Sequence, residues 1–252
     1  MSQWSDPRFI IYLLPIGQVD RETLKFLADS VIKTVYCPCF ILPPTELPMN
    51  IKRDHEGKID AQDILEILTG KMPADGGRII GVLGSGQICN IDLNLLNGCG
   101  QVPGLSAAIA LQGMRVYLSD KFGGPERYRE NLRRLILHEL SHTLGNHECY
   151  AAHCLMDNIA IYSKTPRQFC PSCSAQIQRT MEAGPGIAKF MLGTFFYTRH
   201  NYRLAAKCYR AAAKLRPDIA EYKYYTAVAY ALMNNQKKAG KWLLKYLQTT
   251  KT

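Results

Sequence analysis

Residues 138–145 read His138-Glu139-Leu140-Ser141-His142-Thr143-Leu144-Gly145, and no other segment constrains the fold of this chain as strongly. Two histidines four residues apart lie on one face of a helix, one turn from each other, so both imidazoles can reach one zinc ion. Glu139 occupies the position of a general base that acts on zinc-bound water. The segment therefore predicts a zinc-binding helix, the alternative being an ordinary helix with two partly buried histidines.

The residues after this helix predict a third zinc ligand. Gly145 follows His142 by three residues, as in the pattern H-E-x-x-H-x-x-G-x-x-H, where glycine lets the chain turn sharply back towards the metal. The third ligand position holds Glu148 where that pattern has a histidine. Because a carboxylate can ligate zinc, we expect Glu148 to be the third ligand. The alternatives are substitution by His147 or His153, or a weak or absent catalytic metal.

Four of the nine cysteines are spaced for a second metal site. Cys149 and Cys154 form one pair, and Cys170 and Cys173 form a C-x-x-C pair farther along the chain. Two such pairs are typical of a closed, tetrahedral zinc site, which often contributes folding free energy directly. We therefore predict a structural zinc ion on these four thiolates. We expect Cys37, Cys39 and Cys208 to be packing residues.

These motifs together resemble the archaemetzincin family of zinc metallopeptidases. The resemblance rests on the cysteine that follows position 148, the C-x4-C-x-M run ending at Met156, the later C-x-x-C, and the segment Leu14-Pro15-Ile16-Gly17-Gln18-Val19-Asp20. It covers roughly residues 9–176. It implies a metzincin-like α/β domain whose active-site helix lies at the floor of a cleft. It also implies His138 and His142 on a catalytic zinc, Glu139 as acid/base, Met156 packed beneath the metal, and a second, structural zinc on the four cysteines.

The function that the resemblance implies is hydrolysis of peptide bonds by a zinc-activated water, with Glu139 moving the proton. Metzincin substrates usually lie extended along an edge strand, and the segment around Val116 is a candidate for that strand. Two features depart from the family: Glu148 replaces histidine, and the interval between Met156 and Cys170 is shorter than usual. The alternative function is therefore a catalytically impaired, zinc-stabilised interaction module that acts through its C-terminal helices.

Apolar runs and helix caps predict an α/β zinc domain over residues 1–184, with a mixed, twisted sheet. We expect strands at Phe9–Leu14, at residues 31–43, at Arg78–Leu83 and within residues 107–118, where Val116, Tyr117 and Leu118 are the clearest. Asp20 and Asp60 are placed to cap two helices, and the helix with the paired histidines is expected from Pro125 to Leu144.

Residues 185–252 predict a separate, all-α segment of helical repeats. A 34-residue period relates Ala205 to Ala239 and Phe196 to Tyr230, which is the spacing of the tetratricopeptide repeat. The sequence therefore predicts two helical hairpins of that type, a generic alanine-rich bundle being the alternative. Small residues at Ala205 and Ala239 would let paired helices approach closely.

The net charge of +10 is concentrated in this C-terminal segment. Residues 185–252 contain thirteen Lys or Arg and two acidic residues, hence +11, whereas the first 184 contain eighteen basic and nineteen acidic residues, hence −1. The basic concave face of the repeats is either simply solvated or holds an acidic protein partner. Nucleic acid is disfavoured, because the aromatic residues recur at a helical spacing typical of a core.

Cysteine usage and hydropathy favour a reducing cytosol without membrane attachment. An odd number of cysteines and an N-terminus without a basic leader argue against a secreted disulfide framework. The chain has no apolar stretch of about 18 residues, the length that a membrane span requires.

Overall fold

The computed structural model describes residues 9–54, 56–73, 75–90, 95–157 and 168–250. The chain divides into two compact units. The first comprises Met1–Met72 and Arg78–Glu182, and the second comprises Pro73–Gly77 and Ala183–Thr252. None of the helices in the described ranges combines the length and the apolar character needed to cross a bilayer.

The strands in chain order are β1 (Ile10–Ile16), β2 (Cys39–Ile41), β3 (Ile59–Asp60), β4 (Gly76–Leu83), β5 (Ile88–Cys89), β6 (Leu95–Leu96), β7 (Gly98–Gly100) and β8 (Ser106–Ala110). The helices are α1 (Arg21–Val35), α2 (Ala61–Lys71), α3 (Leu111–Met114), α4 (Gly124–Thr143), α5 (Pro171–Thr198), α6 (Tyr202–Leu215), α7 (Ala220–Leu232) and α8 (Gln236–Thr249). The first unit is thus a mixed α/β fold, as its alternating sequence pattern predicts.

A five-stranded mixed sheet, in the order β2-β1-β4-β8-β7, forms the centre of the first unit. Strand β1 is parallel to β2 and β4 is parallel to β8, whereas the edge strand β7 is antiparallel to β8 with Cys99 opposite Ala108. All residues of β4 and β8 are buried, which accounts for their continuous apolar runs. A smaller three-stranded sheet has the order β3-β5-β6.

Helix α4 lies against this sheet in the main hydrophobic core. Its residues Leu132, Leu135, Ile136 and Leu140 share one cluster with residues of β1, β8 and α1. The helix contacts both β8 and β7. The core therefore fixes the buried face of the helix that carries His138 and His142.

The capping predictions are confirmed. The Asp20 side chain accepts a hydrogen bond from the backbone N–H of Thr23 at 2.7 Å at the start of α1. The Asp60 side chain accepts hydrogen bonds from the N–H groups of Gln62 and Asp63 at the start of α2. The helix with the paired histidines runs from Gly124 to Thr143, within one residue of the predicted bounds.

Two strand predictions are wrong in part. Helix α1 continues to Val35 and ends at Tyr36, which has a φ of 54°, so that only Cys39–Ile41 of the predicted strand 31–43 is extended. The β-branched residues Val31 and Val35 lie instead on the buried face of the helix. After β8, residues 111–118 form α3 and a 3₁₀ turn at Arg115–Leu118, with Val116 half exposed at 49%.

The second unit is helical. Helix α5 is interrupted at Gly184, whose φ of 68° and ψ of −165° are not helical. Phe190 of α5 packs against Tyr209 of α6 and Tyr222 of α7, with ring centroids 5.3 and 4.9 Å away. Ala205 and Ala239 are both buried in the neighbouring cluster with Tyr230. The assignment of these helices to the tetratricopeptide type stays a prediction.

Candidate metal centres and active site

The last two turns of α4 present His138, Glu139 and His142. Core packing of the leucines on the same helix fixes this face, and both His138 (3% exposed) and Glu139 (5% exposed) are buried. The two imidazole rings are nearly perpendicular, at 85°, with centroids 4.7 Å apart. The histidines therefore face each other one turn apart, as their spacing predicts.

The three candidate donor atoms form a small triangle. His138 Nε2 lies 3.1 Å from His142 Nε2, and Glu148 Oε1 lies 3.4 Å from the first of these nitrogens and 3.5 Å from the second. Two tetrahedral ligands at zinc distances of about 2.0–2.1 Å stand about 3.3 Å apart. The spacing and the chemistry of this donor set therefore fit a zinc ion.

Backbone carbonyl groups fix the orientation of both imidazoles. The Nδ1–H of His138 donates to the carbonyl oxygen of Leu155 at 3.1 Å, and that of His142 donates to the carbonyl of Asn146 at 2.8 Å. With Nδ1 protonated, each Nε2 keeps its lone pair for a metal. This is the tautomer that ligation through Nε2 requires.

A glycine turn brings Glu148 to the histidines. Gly145 has a φ of 94°, and its N–H bonds the carbonyl of His142, which ends α4 and reverses the chain. Any larger residue at position 145 would also place its Cβ 2.7 Å from Gln176 Nε2, which is too close without a shift of one of the two groups. Among the described residues, the three-donor group contains Glu148, whereas both of the alternative residues, His147 and His153, are exposed and outside it.

The charges of the three candidate ligands are interdependent. Burial opposes the charged form of His138, but its hydrogen bond with Glu148 and the nearby carboxylates outweigh burial and raise its pKa. Burial and the neighbouring His138 lower the pKa of His142. Partial burial alone would raise the pKa of Glu148, yet the two histidines hold it below its ordinary value. Glu148 is thus an anion, as a carboxylate ligand must be.

Glu139 is buried next to the edge strand β7. A Cβ at Gly98 would lie 2.6 Å from Glu139 Oε1, and one at Gly100 would lie 2.7 Å from the Glu139 carbonyl oxygen. Burial raises the pKa of Glu139 to about 7, and the charge of Glu148 acts in the same direction. The carboxyl group is therefore poised to exchange a proton near neutral pH.

The four predicted cysteine ligands also converge. Cys149 Sγ lies 3.8 Å from Cys170 Sγ, and Cys154 Sγ lies 3.8 Å from Cys173 Sγ; all four sulfurs lie within 4.8 Å of one another. Tetrahedral thiolates at a Zn–S distance of about 2.3 Å stand about 3.8 Å apart. The N–H of Cys173 lowers the pKa of Cys170 to about 7, which favours a thiolate.

A short segment connects the two clusters. Glu148 directly precedes Cys149, and Leu155, whose carbonyl orients His138, lies between Cys154 and Met156. Met156 is fully buried in the cluster that contains Cys154 and Cys173. The carbonyl that orients His138 therefore belongs to the same short segment as two of the four cysteines, Cys149 and Cys154. Most of the interval between Met156 and Cys170, residues 158–167, lies outside the described residues.

Sequence reasoning missed three residues around these clusters. Asn146 is buried, and its Nδ2 donates to Ser141 Oγ at 2.8 Å and to the Cys173 carbonyl at 3.1 Å, which ties α4 to the cysteine cluster. Gly98 and Gly100 form the edge strand that faces Glu139. The predicted substrate strand around Val116 is wrong, since Val116 lies in the 3₁₀ turn and the edge strand next to α4 is β7.

Three curated archaemetzincins resemble this chain in sequence. The protein from Archaeoglobus fulgidus is 25% identical over 171 residues, which are 67% of this chain and 98% of the relative. That from Methanopyrus kandleri is 29% identical over 143 residues (55% and 77%), and that from Aeropyrum pernix is 28% identical over 180 residues (66% and 91%). No family model matches the chain.

Solved structures show the same fold. Archaemetzincin from Archaeoglobus fulgidus, crystallised with malonate, matches with a TM-score of 0.54 at 24% identity and covers 67% of this chain and 99% of its own. The Methanopyrus kandleri archaemetzincin gives a TM-score of 0.57 at 21% identity, with 71% and 98% covered. A zinc-dependent peptidase from Methanocorpusculum labreanum gives 0.53 at 15% identity, with 66% and 99% covered.

The chain shares its mixed α/β fold with solved archaemetzincins, and its paired histidines and the neighbouring carboxylate form a group that could hold a metal ion. Zinc is also the metal that the donor spacing of both clusters fits. The curated relatives that the chain resembles over about two thirds of its length are archaemetzincins.

Proposed function

We propose that this protein is a zinc-dependent peptidase that holds two zinc ions, one catalytic and one structural. His138, His142 and Glu148 would hold the catalytic ion, and the four cysteines would hold the structural one. The observation that carries the proposal is the triangle of donor atoms, with edges of 3.1, 3.4 and 3.5 Å, beside a buried glutamate. A zinc ion held there would supply Lewis acidity, which would polarise a peptide carbonyl and lower the pKa of water at the site towards about 7.

Glu139 is the proton carrier of the proposed reaction. Its carboxylate accepts a proton as the oxygen of water forms a bond to the peptide carbonyl carbon. It returns that proton to the amide nitrogen as the C–N bond breaks, which yields a carboxylic acid and a free amine; the acid then gives its proton to solvent or to the amine. A pKa of about 7 in the buried state suits both transfers, and a neighbouring dication would favour the ionised form that starts the cycle.

The edge strand gives the proposed substrate a place to bind. Among the described residues, strand β7 pairs with β8 and has no strand on its other side, so that edge could pair with an extended peptide. Gly98 and Gly100 bring this strand close to Glu139. A peptide paired with β7 would therefore lie beside the proton carrier and the donor triangle.

The direct test compares the wild-type chain with Glu139→Gln on a mixture of unlabelled peptides, with products identified by mass spectrometry. The amide keeps the size of the side chain but cannot accept the proton, so we expect a loss of at least about 100-fold in kcat. Zinc content should stay the same, because Glu139 is not a ligand. Equal hydrolysis by both proteins would overturn the proposal.

The alternative function is a zinc-stabilised interaction module without catalysis. It is favoured by one observation, the carboxylate at position 148 where the family pattern has histidine. It predicts no hydrolysis by the wild-type chain and by Glu148→His alike. Chelator-sensitive hydrolysis by the wild-type chain would exclude it.

A further inference from the structure

Helix α6 carries an exposed stripe of four cations: Arg203, Lys207, Arg210 and Lys214. They recur at intervals of four, three and four residues, which places them on one face of the helix. The stripe spans about 16 Å at about 1.5 Å per residue. It forms one wall of the part of the second unit where α6, α7 and α8 meet.

Three of these cations border a cleft of about 420 Å³. Lys238 of α8 completes the rim opposite Arg203, Lys207 and Arg210. Within the described ranges, none of these four rim cations forms a salt bridge. Acidic residues are also scarce nearby, since residues 185–252 contain only Asp218 and Glu221. Asp218 is already bound to Arg216 at 2.7 Å.

In a second basic cleft of the same unit, two cations have partners within the chain. Its Lys223 donates hydrogen bonds to the Pro217 carbonyl and to Thr249 Oγ1, and its Lys245 lies 4.4 Å from the ring centroid of Trp242. Lys223 and Lys245 thus have partners within the chain, and Lys214 is the cation of this second cleft that forms no hydrogen bond or ion pair in the described part of the chain. The first cleft has three such cations, Arg203, Lys207 and Arg210, and is therefore the better site for an external anion.

The lining of this cleft also includes apolar side chains. Leu204, Tyr230 and Met233 line it, and Met233 is 37% exposed. A flexible methionine can adapt to side chains of different shapes. The ligand that complements the cleft thus combines anionic groups for the rim with an apolar group for the interior.

The aromatic groups here do not suit nucleic acid. Single strands bind by stacking bases on open aromatic faces. Tyr230 is buried, at 6% exposed, and Lys238 lies 5.4 Å from its ring centroid, so no open face is presented. Guanidinium groups, in contrast, form paired hydrogen bonds with carboxylates. We propose that this cleft binds an acidic segment of a partner protein, in which an apolar side chain lies between carboxylates.

The test is fluorescence anisotropy with a labelled Glu-Glu-Leu-Glu-Glu peptide and the full chain carrying Glu139→Gln, which prevents hydrolysis of the probe. Arg203→Gln/Arg210→Gln should weaken binding about tenfold, because two charge-assisted contacts are lost. The matched control is Lys237→Gln/Lys241→Gln, which removes the same charge from exposed positions of α8 outside the cleft. We expect this control to stay within twofold of the unsubstituted chain.

Four results would overturn the proposal. Two concern the acidic peptide itself: no measurable binding, or an equal loss of binding in both double variants. The other two are undiminished binding of the peptide with glutamine in place of glutamate, and tighter binding of an oligothymidylate of equal net charge. Thermal melting checks that the variants fold; if the arginine pair lowers Tm, Lys207→Gln serves as the second rim variant, with an expected loss of about threefold.

Discussion

Gly98, which has no side chain, leaves room for the carboxylate of Glu139, the proposed proton carrier. A Cβ there would lie 2.6 Å from Oε1 and 2.7 Å from Cγ of Glu139, so Gly98→Ala forces the carboxylate to move. Because a displacement of about 1 Å can cost about 100-fold in rate, we expect kcat to fall between 10- and 100-fold. Zinc content should not change, since no donor atom is touched.

The matched control for this prediction is Gly240→Ala. Nothing lies within 4 Å of a Cβ at Gly240, which is in the exposed part of helix α8. Peptide hydrolysis by this variant should equal that of the wild-type chain. Unchanged kcat in Gly98→Ala would show that Glu139 does not act from the position seen here.

Asn146 connects the histidine cluster with the cysteine cluster. Its side chain donates to Ser141 and to Cys173, while its backbone carbonyl accepts from His142. Asn146→Ala should lower zinc affinity at the histidine cluster by 10- to 100-fold, the order typical of groups that orient ligands. Competition with a fluorescent chelator measures it. Wild-type affinity in this variant would mean that the turn alone orients His142.

Among the elements, helix α1 offers a test of the cap that its sequence predicts. The Thr23 N–H bond outweighs the effect of partial burial and lowers the pKa of Asp20. Because the pKa of Asp20 is lower in the folded chain, its ionised carboxylate stabilises the fold at pH values above the unfolded-state pKa of about 3.9. This stabilisation is lost as the pH falls through the folded-state pKa. Asp20→Ala should therefore cost about 1 kcal/mol at pH 7.

The same reasoning fixes how this cost depends on pH. The difference in Tm between wild type and Asp20→Ala should be constant from pH 5 to 7 and shrink below about pH 4. Thermal melting at several pH values measures this difference. A gap that stays constant to pH 2 would contradict the assignment of Asp20 as an ionised cap.

Elements with local signals could be predicted from the sequence, and those that depend on distant partners could not. Helix α4 and the caps at Asp20 and Asp60 are specified within a few residues, and their predictions hold. Strand β7 contains only Gly98, Cys99 and Gly100, and it exists because it pairs with β8. Arg115–Leu118 has strand-like residues, yet it forms a turn between β8 and α4. The candidate ligands followed from spacing alone, whereas Asn146 and the glycines facing Glu139 required three-dimensional contacts.

At the scale of the whole molecule, the thiolate cluster should stabilise the zinc domain and support its histidine cluster. Cys170→Ser removes one candidate ligand, and losing a structural zinc costs several kcal/mol, so we expect Tm to fall by about 10 °C. The rate of peptide hydrolysis should fall too, because the Leu155 carbonyl that orients His138 directly follows Cys154 in the chain. The control is Cys208→Ser, a buried cysteine outside the cluster, which should keep its full zinc content. Unchanged melting in Cys170→Ser would contradict a structural role.

The central claim is that His138, His142 and Glu148 form a zinc site separate from the four cysteines. The measurement that tests it most directly is the number of zinc ions per chain in purified wild-type protein, Glu148→Ala and Glu148→His. We predict two zinc ions in the wild type, one in Glu148→Ala, and two in Glu148→His, whose imidazole replaces the lost donor. One zinc ion in all three proteins would mean that only the cysteines bind metal, and the peptidase proposal would fall.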